Sequence, residues 1–203
     1  MELHPGNNIV RLVGSAAGRP TLSHESRGEA FYRLPLIVRR LSGAEDEIPL
    51  LLRRGQLESL ELQEADKLCV SGELRSFNNR SGEGARLVIT VFVRALQFCE
   101  EEDENSVLLR GALCRPPTLR RTPMGRDICD LMLAVNRPYG RSDYLPCIAW
   151  GQVAATVAGL GVGDRLALEG RVQSRRYTKM LEGGSVERTA YEVSIMELLD
   201  DEP

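Results

Sequence analysis

The chain has 203 residues, 42% of them hydrophobic and 27% charged, with a formal net charge of −3; that aliphatic content supports packed cores and excludes a disordered or low-complexity chain. No window approaches the roughly 18 consecutive apolar residues that span a bilayer, and the first residues carry neither a basic start nor an apolar run, so a soluble, unexported, cytoplasmic protein is expected. Five cysteines (Cys69, Cys99, Cys114, Cys129 and Cys147) form an odd set with no C-x-x-C pair, which speaks against a disulfide framework or a zinc site and for reduced core or near-core residues.

In chain order, short runs rich in Val, Ile and Leu alternate with Gly, Pro and Asn clusters, the pattern of a small all-β fold. Strands are expected near Ile9 to Ala16, Phe31 to Arg40, Ile48 to Arg53, Lys67 to Ser76 and Leu87 to Phe98. After an acidic run, residues 100–104, further strands follow near Val107 to Leu113, Asp127 to Asn136, Tyr144 to Trp150, Arg165 to Gln173 and Thr189 to Glu197. Gln56 to Gln63 and Gln152 to Ala158 contain no Pro or Gly and space their apolar residues helically, so each reads as a short helix after a third strand.

The two halves are copies of one unit. Displaced by 97 positions, Asn8, Val10, Leu12 and Gly14 fall on Asn105, Val107, Leu109 and Gly111, and Pro20-Thr21-Leu22 falls on Pro117-Thr118-Leu119. Leu34, Leu36 and Val38 then meet Leu131, Leu133 and Val135, and Arg40, Gly43 and Pro49 meet Arg137, Gly140 and Pro146. A repeated order of five strands with a helix after the third is OB-fold order, so the expected architecture is all-β, two tandem five-stranded OB-type barrels. The expected division is residues 1–99, an acidic linker at 100–104, a second domain at 105–198 and a short acidic tail at 199–203. Charge divides unevenly: Lys and Arg against Asp and Glu number 13 against 17 for residues 1–104, and 13 against 12 for 105–203. Four of those last acids sit at the extreme C-terminus, which leaves the second unit proper positive.

Catalytic chemistry has little to work with. The two histidines, His4 and His24, have no cysteine spaced to join them in a metal site. Gly159, Gly161 and Gly163 precede a strand instead of opening a helix, so they read as a turn and not as a phosphate cradle. Asp127 and Asp130, three apart on a strand, point to opposite faces and cannot share a proton or a metal. No enzyme and no cofactor are expected.

Aromatic placement is more informative. Tyr139, Tyr144 and Trp150 flank the second and third strands of the second unit, interleaved with Arg137 and Arg141; Arg171, Arg175, Arg176, Tyr177 and Lys179 cluster around the end of its fourth strand. Rings that stack unpaired bases, flanked by cations for phosphates, suit binding of single strands without sequence preference. Half-buried core tyrosines would give a similar pattern, and Tyr32 and Tyr191 are assigned to structural positions.

The ordered series Asn105-Ser-Val107-Leu-Leu-Arg-Gly111, Pro117-Thr-Leu-Arg120, Leu133-Ala-Val-Asn-Arg137, Cys147-Ile-Ala-Trp150-Gly-Gln, Val162-Gly163-Asp164 to Tyr177, and Arg188-Thr-Ala-Tyr191-Glu192-Val193 resembles the bacterial single-stranded DNA-binding protein family over residues 105–198. The resemblance implies base stacking by Tyr139, Tyr144, Trp150 and Tyr177, with Arg120, Arg175 and Arg176 as basic neighbours; Arg121, Arg137, Arg171 and Lys179 join them on charge. It also implies single-stranded DNA as partner, a role in replication, repair or recombination, and assembly of four OB domains, which a homodimer of this chain would supply. In the first unit the ring positions are Ser42, Glu47, Arg53 and Asn79, so that degenerate copy is expected to serve mainly for assembly, with some backbone contact through Arg39, Arg40, Arg53 and Arg54. The family's acidic tip closing on an aromatic residue is absent from residues 198–203, so recruitment of replication or repair proteins by that route is not expected. Two rival readings are an OB-fold interaction protein of a primosome or mobile element with weak or vestigial DNA binding, and an RNA-binding OB protein.

Overall fold

The structure is a computed structural model that describes residues 6–58, 60–79, 87–181 and 184–200, without the side chains of Lys179 and Leu181. His4, the Lys179 side chain and residues 201–203 of the acidic tail therefore lie outside the described residues. The first repeat forms β1 (Asn8–Ala16), β2 (Thr21–Ser26), β3 (Glu29–Arg39), β4 (Glu45–Arg53), α1 (Arg54–Leu57), β5 (Lys67–Asn78) and β6 (Leu87–Phe98). The second forms β7 (Glu104–Leu113), β8 (Thr118–Arg121), β9 (Asp127–Arg137), β10 (Arg141–Trp150), α2 (Gly151–Ala158), β11 (Arg165–Leu181) and β12 (Gly184–Leu199), with a 3-10 turn at Pro138–Gly140. Among the described residues no helix is long and apolar enough to cross a membrane.

Each repeat closes a ring of five strands. In the first, the order β3-β4-β6-β5-β1 closes through pairing of β1 with β3, and in the second β9-β10-β12-β11-β7 closes through pairing of β7 with β9. One pair in each ring, β4 with β6 and β10 with β12, runs parallel. Closure removes the exposed sheet edge, and alternation sends one face of every strand inward. Leu34, Leu36, Ile48, Leu50, Leu68 and Leu74 fill one core; Leu109, Leu131, Leu133, Leu145, Leu168 and Val172 fill the other. The all-β, OB-type architecture expected from the repeat is the one observed.

The shared glycines mark where strands press together. A Cβ on Gly111 would stand 2.5 Å from the carbonyl oxygen of Ala134, and one on Gly170 would stand 2.4 Å from that of Ser194. Their first-repeat counterparts Gly14 and Gly72 meet Ile37 and Phe92 carbonyls just as closely, so only glycine lets the backbone approach at these crossings.

Three differences from the expected elements have local causes. Each ring carries a sixth short strand, β2 or β8, pairing with β3 or β9; their polar, exposed residues lack the apolar alternation by which a strand is read. The helix expected over Gln56 to Gln63 is the single turn Arg54–Leu57. Glu58, Glu61 and Glu64 repeat like charge at helical spacing, and the following segment turns instead, with Leu60 N–H bonding Leu57 O and Gln63 N–H bonding Asp66 Oδ2 at 2.7 Å. The third difference is that β11 and β12 run well past their expected ends as one long hairpin, paired in register from Gly170↔Ile195 to Leu181↔Gly184.

Close contacts divide the chain into two compact units: residues 9–75 with 90–106, and residues 107–200 with the described residues among 1–8 and 76–89. In the first of these units the acidic run is engaged, not free. Arg11 bonds Glu101 and Glu104, each at 2.6 Å, and Asp103 accepts from Lys67 and from the N–H of Arg39.

Candidate nucleic-acid interface

Because strand side chains alternate, Leu145, Cys147 and Ala149 of β10 enter the core, and Tyr144, Pro146, Ile148 and Trp150 take the opposite face. Register carries that face across the sheet. Toward one edge, Trp150 pairs with Ile128 and Ile128 with Arg120. In the other direction Ile148 lies beside Ser194, which pairs with Arg171, and the following pairs are Gln173 with Glu192, Arg175 with Ala190 and Tyr177 with Arg188. One face therefore collects Arg120, Tyr144, Trp150, Arg171, Arg175 and Tyr177. Tyr144 is 49% and Trp150 40% exposed, enough ring area for a second flat group to stack on.

The cations on this face differ in their freedom. Arg120 donates to Asp130 from Nε at 2.5 Å and Nη2 at 3.1 Å; that hydrogen bond, with the charges of Asp130 and Glu192, raises the guanidinium above its ordinary pKa. Arg175 stacks over the Tyr177 ring, 5.8 Å from its centroid. The Nε of Arg171 is buried and has no hydrogen-bond partner among the described residues. Glu192 brings negative charge to the same face, accepting from Gln173 Nε2 at 2.7 Å.

Other nominated residues stand elsewhere. Arg121 lies on the other face of β8, bonded to Asp127 at 2.7 Å and 3.1 Å, and this bond holds the Asp127 carboxyl below the usual carboxylate range. Asp127 and Asp130 do take opposite faces, each meeting its own arginine. Arg176 pairs with Thr189, one step out of phase with Arg175 and Tyr177, and so takes the opposite face. Arg137 is mostly buried against the fully buried Asp143, with Nε 2.5 Å from Oδ2. Tyr139 stands fully exposed on the turn between β9 and β10, at φ 67°, ψ 33°, a left-handed conformation unusual for a residue with a side chain.

In the first repeat every arginine nominated for backbone contact is engaged by a carboxylate: Arg39 by Glu45, Arg40 by Asp46, Arg53 by Glu29 and Arg54 by Glu58, at 2.8, 2.6, 3.6 and 3.3 Å. Arg53 and Arg94 also lie 5.2 and 5.0 Å from the centroid of Phe92, so this ring is used internally.

Residues 104–199 match the model of the Single-strand binding protein family. That stretch is the part of the chain similar to this family. The single-stranded DNA-binding protein of Halalkalibacterium halodurans is 39% identical over 80 residues, 36% of this chain and 48% of that protein, and single-stranded DNA-binding protein A of Bacillus subtilis is 36% identical over the same length. The chain spans about half the length of the curated relatives it matches. The wild-type single-stranded DNA binding protein of Thermus aquaticus superimposes with a TM-score of 0.80 at 25% identity, covering 98% of this chain and 94% of that one. That likeness extends the fold to the first repeat, beyond the residues of the family match.

Sequence reasoning passed over three residues of this face: Arg188, paired with Tyr177, and the Gln173–Glu192 couple. Continuing strand alternation through residue 181 would have found them and set Arg176 apart. Of the cysteines, Cys69, Cys129 and Cys147 are buried and Cys99 partly so, whereas Cys114 is exposed, its thiol 3.4 Å from Met132 O, so the core reading is corrected there. Burial, with a contribution from Glu192, pushes the Cys147 thiol up in pKa, which keeps it protonated. Among the described residues no group of three or more His, Cys, Asp or Glu side chains could hold a metal ion.

Proposed function

We propose that the second repeat binds single-stranded DNA without strong sequence preference. The observation that carries this is the single sheet face on which Tyr144, Trp150 and Tyr177 stand with Arg171 and Arg175. Each ring can stack on an unpaired base, worth roughly 1–3 kcal/mol, and guanidiniums between them displace counterions from phosphates. Exposed Tyr139 on the adjoining turn supplies a fourth ring. Arg120 joins once a phosphate outcompetes Asp130. The match of residues 104–199 to the family model and the names of the relatives support the reading.

On this reading residues 105–198 are the DNA-binding domain and residues 1–99 a ring-free copy that serves assembly. The protein coats and protects single strands in the cytoplasm during replication, repair or recombination, with no catalytic step and no cofactor. Titration with oligothymidylate at two salt concentrations, following the emission of Trp150, the single tryptophan of the chain, is expected to give strong quenching that weakens as salt rises. Unchanged emission and light scattering at micromolar concentrations and low salt would reject the reading and put a protein-interaction role first.

A further inference from the structure

Tyr144 is held from behind. The compact unit that contains the second repeat also takes in Ser76, near the end of β5, and every polar group of Ser76 is engaged there. Its N–H donates to Asp143 Oδ1 at 2.6 Å, its carbonyl accepts from Arg137 Nη2 at 3.3 Å, and its Oγ accepts the N–H of Tyr144 at 2.7 Å. Pairing of β10 with β12 is confined to Cys147 and Ile148, so beside Tyr144 the serine stands where a neighbouring strand would. Asp143 is fully buried, and the Arg137 guanidinium grips both of its oxygens.

The first repeat separates the parts of this arrangement. Arg40 and Asp46, the counterparts of Arg137 and Asp143, form the same bidentate pair at 2.6 Å around an equally buried aspartate, although Glu47 replaces the ring. The pair thus belongs to the fold and does not require DNA. Its guanidinium, committed to a buried carboxylate, is a poor phosphate donor.

We propose that Ser76, anchored by the Arg137–Asp143 pair, is a positioning residue for Tyr144: it fixes the backbone from which that ring projects, and Arg137 acts through it instead of on phosphate. This inference rests on the DNA-binding reading above. A ring whose backbone is pinned loses less freedom when a base stacks on it. The full chain is titrated with oligothymidylate, reading Trp150 emission, as the parent, Ser76→Ala, Ser76→Thr, Tyr144→Ala and the double variant Ser76→Ala with Tyr144→Ala. Ser76→Ala should weaken binding about fivefold, the scale of one net hydrogen bond, with an unchanged dependence on salt because no phosphate contact is lost. Ser76→Thr, which keeps the hydroxyl, should bind like the parent. In the Tyr144→Ala background Ser76→Ala should cost nothing more, since the group it positions is gone. The same loss with and without Tyr144, or parental affinity of Ser76→Ala, overturns the positioning role while DNA binding stands. A parent chain that does not quench overturns the DNA-binding reading and this role with it.

Discussion

An arginine already bonded to a carboxylate must give up that bond before it can hold a phosphate. Arg120, Arg121 and Arg137 are bonded in this way to Asp130, Asp127 and Asp143, whereas the Nε of Arg171 has no partner among the described residues. Replacing Arg171 with Gln should therefore lower the slope of log affinity against log salt by about 0.7, the expectation for one phosphate contact on a single strand. Arg121→Gln should change that slope by less. Oligothymidylate titrations across a salt series measure both, and equal slopes for Arg171→Gln and the parent would remove Arg171 from the phosphate contacts. Residue type and local charge point to all of these arginines alike in the sequence. Which of them meets an aspartate depends on cross-strand register, which no local pattern reports.

At the scale of elements, period-two alternation located the ten main strands, because half-buried strands of closed barrels write it plainly. It failed where a strand has no buried face, as in β2 and β8, and where β11 and β12 leave the barrel and pair only with each other toward the hairpin tip. The two helices show the same division. α2 buries Ala154 and Val157 and spans Gly151–Ala158, one residue from its expected start, while α1 buries nothing and stops after one turn. Glycines at strand crossings are legible from the repeat as shared positions, but their reason is tertiary. Gly170→Ala would force a Cβ to within 2.4 Å of the Ser194 carbonyl. A loss of roughly 1–3 kcal/mol, the range for overpacking, is expected. Thermal unfolding followed by circular dichroism would register this as a lowered midpoint, and an unchanged midpoint would mean that the crossing can open.

For the whole molecule, two OB-type repeats in one chain make a dimer the assembly with four such domains. Multi-angle light scattering is expected to give twice the 22.5 kDa chain mass; a strict monomer at working concentration would remove the dimer. Sequence by itself determined the repeat, the all-β class, the family likeness of the second unit and the identity of its rings, because these rest on strand periodicity and ordered motifs carried along the chain. Only the tertiary structure decided that Arg175 and Tyr177 share a face with Trp150 while Arg176 does not, that carboxylates occupy Arg39, Arg40, Arg53 and Arg54 of the first repeat, and that Ser76 stands behind Tyr144. Those outcomes depend on which strands pair, in what register, and how far each hairpin extends. Such pairings join residues as much as 68 positions apart, and the barrel must close before they exist.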